Sequence, residues 1–242
     1  MDNLYLPVLI FFVALLYSSV GHAGASGYLL VMALAGMTPV VMKPTALILN
    51  IIVASIATVQ FCRAGYFSLR IFLPFTITSI PFAFLGGLIT LPDTLYKQLL
   101  GLVLLFVAYR LFLNVEIAPS IKKPILWPIA LACGAGIGLL SGLIGVGGGI
   151  FLSPLLLLMG WAKVKQQAGS ASAFILVNSV AGIFGHLTAL KHFPYLLPYW
   201  IIASVAGGII GSRFGIRRLG NLTLRRLLAI VLVIAVVKLM WV

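Results

Sequence analysis

Apolar residues fill this chain in runs, and the polar positions fall between them. The runs cover approximately 4–20, 27–37, 44–62, 71–91, 95–113, 125–144, 149–160, 168–190, 195–212 and 223–242. Most approach the ~20 residues that carry an α-helix across a bilayer core of about 30 Å. The alternation of short barrel strands is missing. The pattern therefore predicts an all-α polytopic membrane protein with about eight full transmembrane helices. Two runs, 27–37 and 149–160, are too short for a full helical crossing. Each follows a Ser/Gly-rich break, Ser18–Gly27 and Ser141–Gly149. They predict two short Gly-broken segments that either cross or re-enter. The links are short, the longest polar one lies at 114–124, and no soluble domain is expected.

The order of features repeats. An apolar run, a Ser/Gly break and a short run come first in each copy. Next comes a small-residue helix with an internal amide, "ALILN" ending at Asn50 and "FILVN" ending at Asn178. Then come the pairs Gly86-Gly87 and Gly207-Gly208, and a last helix ending on a cation, Arg110 and Lys238. The amide pair and the cation pair are both 128 residues apart. This predicts a first transmembrane repeat over 1–120 and a second over 121–242. An odd number of crossings in each would invert one against the other, giving the 5+5 plan of many secondary transporters.

Composition agrees: 62% of residues are apolar and 8% charged, where a soluble domain carries roughly a quarter charged residues. The net charge of +13 does not point to nucleic acid, because Lys and Arg sit in the links and not on one stripe or tail. Under the inverted topology only Lys43, Lys97, Lys191 and Lys238 fall on one side, and the other twelve of the 16 Lys and Arg fall on the opposite side. The richer side is the cytoplasmic one, so both termini are predicted outside, in a cell inner (cytoplasmic) membrane. The first run lacks a basic n-region and an A-x-A site, so it is expected to be retained. Cys62 and Cys133 form no CxxC pair and read as small apolar residues.

Candidate chemistry gathers at the breaks. Gly145, Gly147, Gly148 and Gly149 crowd into five positions, and Pro154 follows. Glycine lets backbone approach a ligand, and a helix beginning there offers free N–H groups and a positive dipole end, which together bind anions. No Gly-Lys-Ser/Thr follows, so this is not a nucleotide loop. In the first break Gly21, His22, Gly24 and Ser26 stand in the corresponding place. Asn50 and Asn178, with Ser170 and Ser172, complete the predicted substrate-binding set. For these polar residues, gluing helices together and lining a path are equally good readings. His22 and His186 either find a helix partner or couple anion and proton, and His192 reads as a loop residue. Lys43 either steers anions by its field or snorkels from a helix end. Gln60, Gln166 and Gln167 lie near helix ends and read as solvated. The three carboxylates, Asp2, Asp93 and Glu116, avoid the spans. No metal-ligand cluster and no cofactor motif appears.

The blocks "SGLIGVGGGIFLSPLLLLMG" (141–160) and "AGSASAFILVNSVAG" (168–182) resemble the TauE/SafE (TSUP) family of sulfite exporters, whose usual pattern in each half is GxGGGxxxxP followed by an SA-rich helix. The resemblance covers almost the whole chain. The first half departs from it, with "GHAGASGYLLVMAL" in place of the glycine–proline block. The resemblance implies transport of small sulfur-containing or carboxylate anions such as sulfite, sulfoacetate and related sulfonates. The sequence thus predicts a transporter moving sulfite or an organosulfonate by alternating access, in the export direction, and not an enzyme. Lipid is an expected partner and a second copy of the chain a candidate one. The competing readings are a membrane scaffold or insertion factor, and an intramembrane enzyme that would need Asp93 beside His22.

Overall fold

The computed structural model describes residues 5–112, 124–186 and 193–218. Every regular element among them is an α-helix: α1 Leu6–Ser18, α2 Ala25–Leu34, α3 Pro39–Arg63, α4 Leu69–Leu88, α5 Asp93–Phe112, α6 Trp127–Ile144, α7 Gly149–Leu158, α8 Val164–Gly185 and α9 Leu197–Arg218. They follow the first nine apolar runs one for one. The tenth run, most of the 114–124 link, and His192 lie outside the described residues.

Five helices among the described residues are long and apolar enough to cross a membrane: α3, α4, α6, α8 and the Leu197–Ile216 part of α9. With no strand among the described residues, this is a multi-pass helical membrane protein. The short runs are helices of 10 residues each, α2 and α7, or about 15 Å of rise. The first run was expected to span over 4–20. Its helix has 13 residues, about 20 Å, and stops at Ser18. There the Ser18 and Ser19 hydroxyls donate to the Leu15 and Leu16 carbonyls, and Gly21 takes a left-handed φ of +79°.

Two helix starts also differ from the hydropathy reading. α3 begins at Pro39, not at 44, and α8 at Val164, not at 168. Thr38 and Lys163 are extended and mark the true boundaries. Lys43 and the Lys165-Gln166-Gln167 run lower the local hydropathy without interrupting the helix. Pro39 supplies a fixed φ where its missing N–H would be unsatisfied in any case.

α3 and α8 lie against each other at the centre. α4 packs on α6 and α8, and α9 packs on α1 and α3. Two glycine ridges set the closest approaches. A Cβ on Gly134, Gly138 or Gly142 of α6 would strike the carbonyl oxygens of Phe75, Ser79 or Ala83 of α4. A Cβ on Gly207, Gly211 or Gly215 would strike those of Phe11, Leu15 or Ser19, along the α1 strip. Small residues four apart form a flat strip on a helix, and lipid-embedded helices approach most closely along such strips.

Candidate functional site

Both glycine clusters interrupt the chain in the same manner. Gly145 ends α6 at φ +86° and Gly148 opens α7 at φ +78°, with Gly147 between them at +81°. In the first break Gly21 and Gly24 take φ +79° and +103°, and Gly24 opens α2. Side chains rarely adopt this backbone region, so glycine is required for the chain to turn and start a new helix inside the protein. Helix geometry gives the leading amides of α2 and α7 no i−4 carbonyl in their own helix, and the third amide of α7, that of Phe151, turns back to the Gly148 carbonyl at 3.1 Å.

The second break is lodged between α3 and α8. Asn50 Nδ2 donates to the Val146 carbonyl at 3.2 Å and to Ser179 Oγ at 3.4 Å. A Cβ on Gly147 would come within 2.6 Å of that amide nitrogen. Asn50 is fully buried, and its Oδ1 has no hydrogen-bond partner. Gly145 lies along Lys43: a Cβ there would sit 3.4 Å from the Lys43 Cα. Gly148 faces Ile137, Phe174 and Ser141, the last 3.5 Å from where a Cβ would be. The Ser141 hydroxyl is fully buried and unpartnered. The Ser141 hydroxyl and the Asn50 side chain are thus gathered at the break before α7, beside the positive end of that helix's dipole.

The first break meets α7 and α8. Gly21 is pressed against Ala168 of α8. The ring of His22 lies 3.0 Å from Ser153 Oγ through Nε2, and its Nδ1 is 3.2 Å from the Val20 carbonyl. Gln167 Nε2 donates to the same Ser153 hydroxyl. His22, Ser153 and Gln167 therefore form one polar chain joining residues 131 and 14 positions apart. Gln167 was expected to be solvated; it is buried, because α8 starts a turn earlier and carries it inward.

The remaining predicted site residues divide. Ser26 donates to the Tyr17 hydroxyl at 3.1 Å, Ser172 to the Gly169 carbonyl at 2.9 Å, and Asn178 Nδ2 to the Phe174 carbonyl at 2.8 Å. The Asn178 Oδ1 and Ser170 Oγ are buried without partners. Gly149 packs on Ile175. His186 Nε2 donates to the Gly142 carbonyl at 3.1 Å, so this ring ties the end of α8 to α6. Sequence reasoning missed Ser141, Ser153 and Gln167 as parts of this arrangement. Ser141 had a signal, since it precedes Gly145 by one helical turn and shares its side of α6.

Asn50 is the direct clamp on the second break. Asn50→Leu should destabilise the solubilised protein by ~1–3 kcal/mol, because the Val146 carbonyl loses its partner. A melting temperature equal to that of the unsubstituted protein would show that the amide does not hold the break.

Comparison with known proteins gives one consistent result. A probable membrane transporter protein of Sinorhizobium fredii, y4hK, is 40% identical over 240 residues, covering 98% of this chain and 97% of that one. A probable membrane transporter protein of Methanocaldococcus jannaschii, MJ0441, is 31% identical over 117 residues, 47% of this chain and 43% of that protein. No solved structure gives a significant match. The family profile described as sulfite exporter TauE/SafE matches residues 6–239, and with the full-length relative it shows that this membrane protein belongs to the TauE/SafE family.

Proposed function

We propose that the protein is a secondary transporter that exports a small sulfur-containing anion, sulfite or an organosulfonate, across the cytoplasmic membrane by alternating access. The observation that carries this reading is the start of α7, where the unpartnered Ser141 hydroxyl lies beside the helix N-terminus that Gly148 opens, next to the break that Asn50 clamps. Neutral donors at a helix N-terminus suit an anion, and broken helices serve this purpose in secondary transporters.

The helix contacts support two equivalent halves over 1–120 and 121–242, and the charge distribution of the links argues for their inversion. Exchanging the halves turns the α4–α6 pair into α9–α1 and the α4–α8 pair into α9–α3, and both members of each exchange are present. Such a pair of halves can rock around a shared central site. In this reading both termini face outside. An inside-negative potential then drives a monoanion outward by about 2.3 kcal/mol per 100 mV, so export needs no coupled proton. Of the two candidate coupling rings, His22 suits that role better. Its chain to Ser153 and Gln167 links side chains across the two halves, whereas the His186 ring contacts the Gly142 carbonyl of its own half. A homodimer is the proposed assembly.

The test is flux from proteoliposomes for sulfite, thiosulfate, sulfoacetate and short carboxylates. Saturable flux of at least one sulfur oxyanion is expected. No flux for any of them, together with no thermal shift by any small anion, would sink the transporter reading and leave the scaffold alternative.

A further inference from the structure

We infer that Lys43 is the charge-recognising residue of the transport site, binding the anionic head of the substrate at the Gly145 end of the second break. The inference rests on the reading of the chain as an anion transporter. Lys43 is the fifth residue of α3, near the positive end of its own helix dipole, where a cation is disfavoured. A lysine snorkelling at a helix end lays its stem on apolar surface and leaves the stem partly in view of water. Lys43 is only 6% exposed.

Its surroundings fix it beside the break. The ammonium lies 4.5 Å from the centroid of the Tyr96 ring. The Tyr96 hydroxyl donates to the carbonyl of Ile144 at 3.0 Å, one residue before Gly145. Lys43 and Asn50 are seven residues apart and therefore share one face of α3. Both touch the break, Lys43 through its backbone and Cβ at Gly145 and Asn50 through its amide at Val146. The Lys43 ammonium lies over Tyr96, which is itself bonded to the residue before Gly145.

Packing alone does not call for a lysine. At the first break, the place against Gly21 in α8 is filled by Ala168. Among the described residues no carboxylate forms an ion pair with Lys43. Asp93, whose field reaches it, is itself exposed. The Lys43 ammonium has no hydrogen-bonding side chain or carboxylate among the described residues to pair with, and a substrate oxyanion supplies the missing charge. The neutral donors nearby orient an anion but discriminate weakly against neutral molecules of similar shape. The ammonium, with three N–H donors, provides that discrimination for a sulfite, sulfonate or carboxylate head.

The experiment compares unsubstituted protein, Lys43→Gln and Lys43→Arg in proteoliposomes, using sulfite and sulfoacetate flux. Lys43→Gln should raise KM at least tenfold, while Lys43→Arg stays within about threefold. A KM for Lys43→Gln within twofold of the unsubstituted value overturns the inference. If Lys43→Gln does not give a monodisperse peak, amine acetylation of the unsubstituted protein decides. Sulfoacetate should protect Lys43, read by peptide mass spectrometry, and labelling equal to that in gluconate overturns the inference. Absence of flux in the unsubstituted protein would instead remove the transporter reading, and the assignment of Lys43 with it.

Discussion

Gly211→Leu should leave no folded protein to purify. The Gly211 Cα faces the backbone of α1, and a Cβ would strike the Leu15 carbonyl oxygen and the Ser18 hydroxyl. Overpacking a close contact ordinarily costs about 1–3 kcal/mol. Here the obstacle is main chain, flanked by the equally close Gly207 and Gly215, so rotamer adjustment cannot relieve it. We expect a loss above ~3 kcal/mol, a large share of the ~5–15 kcal/mol typical of a folded protein. Gly142→Leu, whose Cβ would strike the Ala83 carbonyl oxygen, should behave alike. Gly136→Leu is the control. It lies on α6, exposed, with nothing within 4 Å of an added Cβ, and there a helix former should be neutral or slightly stabilising. Size-exclusion profiles of fluorescent fusions would separate the three. A monodisperse Gly211→Leu would show that α1 and α9 do not need that close approach.

The elements were legible because hydrophobic length has few explanations in a membrane, and the two breaks because left-handed turns inside apolar runs require glycine. The helix starts were not. Lys43 and Gln167 look like link residues by hydropathy, yet both lie in the first turns of helices, against or beside the breaks. The turns that hydropathy discards are therefore the ones that touch the candidate site. Asn50 and Asn178 are equivalent by spacing but not by partner. One reaches the Val146 carbonyl and the other turns back onto Phe174 of its own helix. Which carbonyl lies within reach of an amide depends on tertiary packing, and no local pattern encodes it. The contact of His22 with Ser153 spans 131 residues and is invisible for the same reason. For Ser141 the spacing to Gly145 gave a signal, but its place beside Gly148 depends on the register of α6 against Phe174 and α7.

Gly148→Ala should cut transport at least tenfold while leaving membrane insertion and the size-exclusion profile unchanged. Two effects combine at this position. Its φ of +78° would impose ~1–2 kcal/mol of left-handed strain on alanine. The new methyl would also come within 2.9 Å of the Ile137 Cγ2 and 3.0 Å of the Phe174 ring, on the side where Ser141 approaches. It would push apart the hydroxyl and the first amides of α7. Gly65→Ala separates the effects, since Gly65 has nearly the same φ, +76°, with nothing within 4 Å of an added Cβ. Gly65→Ala carries the strain and fills no site. Transport should therefore survive in Gly65→Ala and fail in Gly148→Ala, at matched protein levels. Equal losses in both would assign the effect to backbone strain. Full transport by Gly148→Ala would mean that the start of α7 does not hold the substrate.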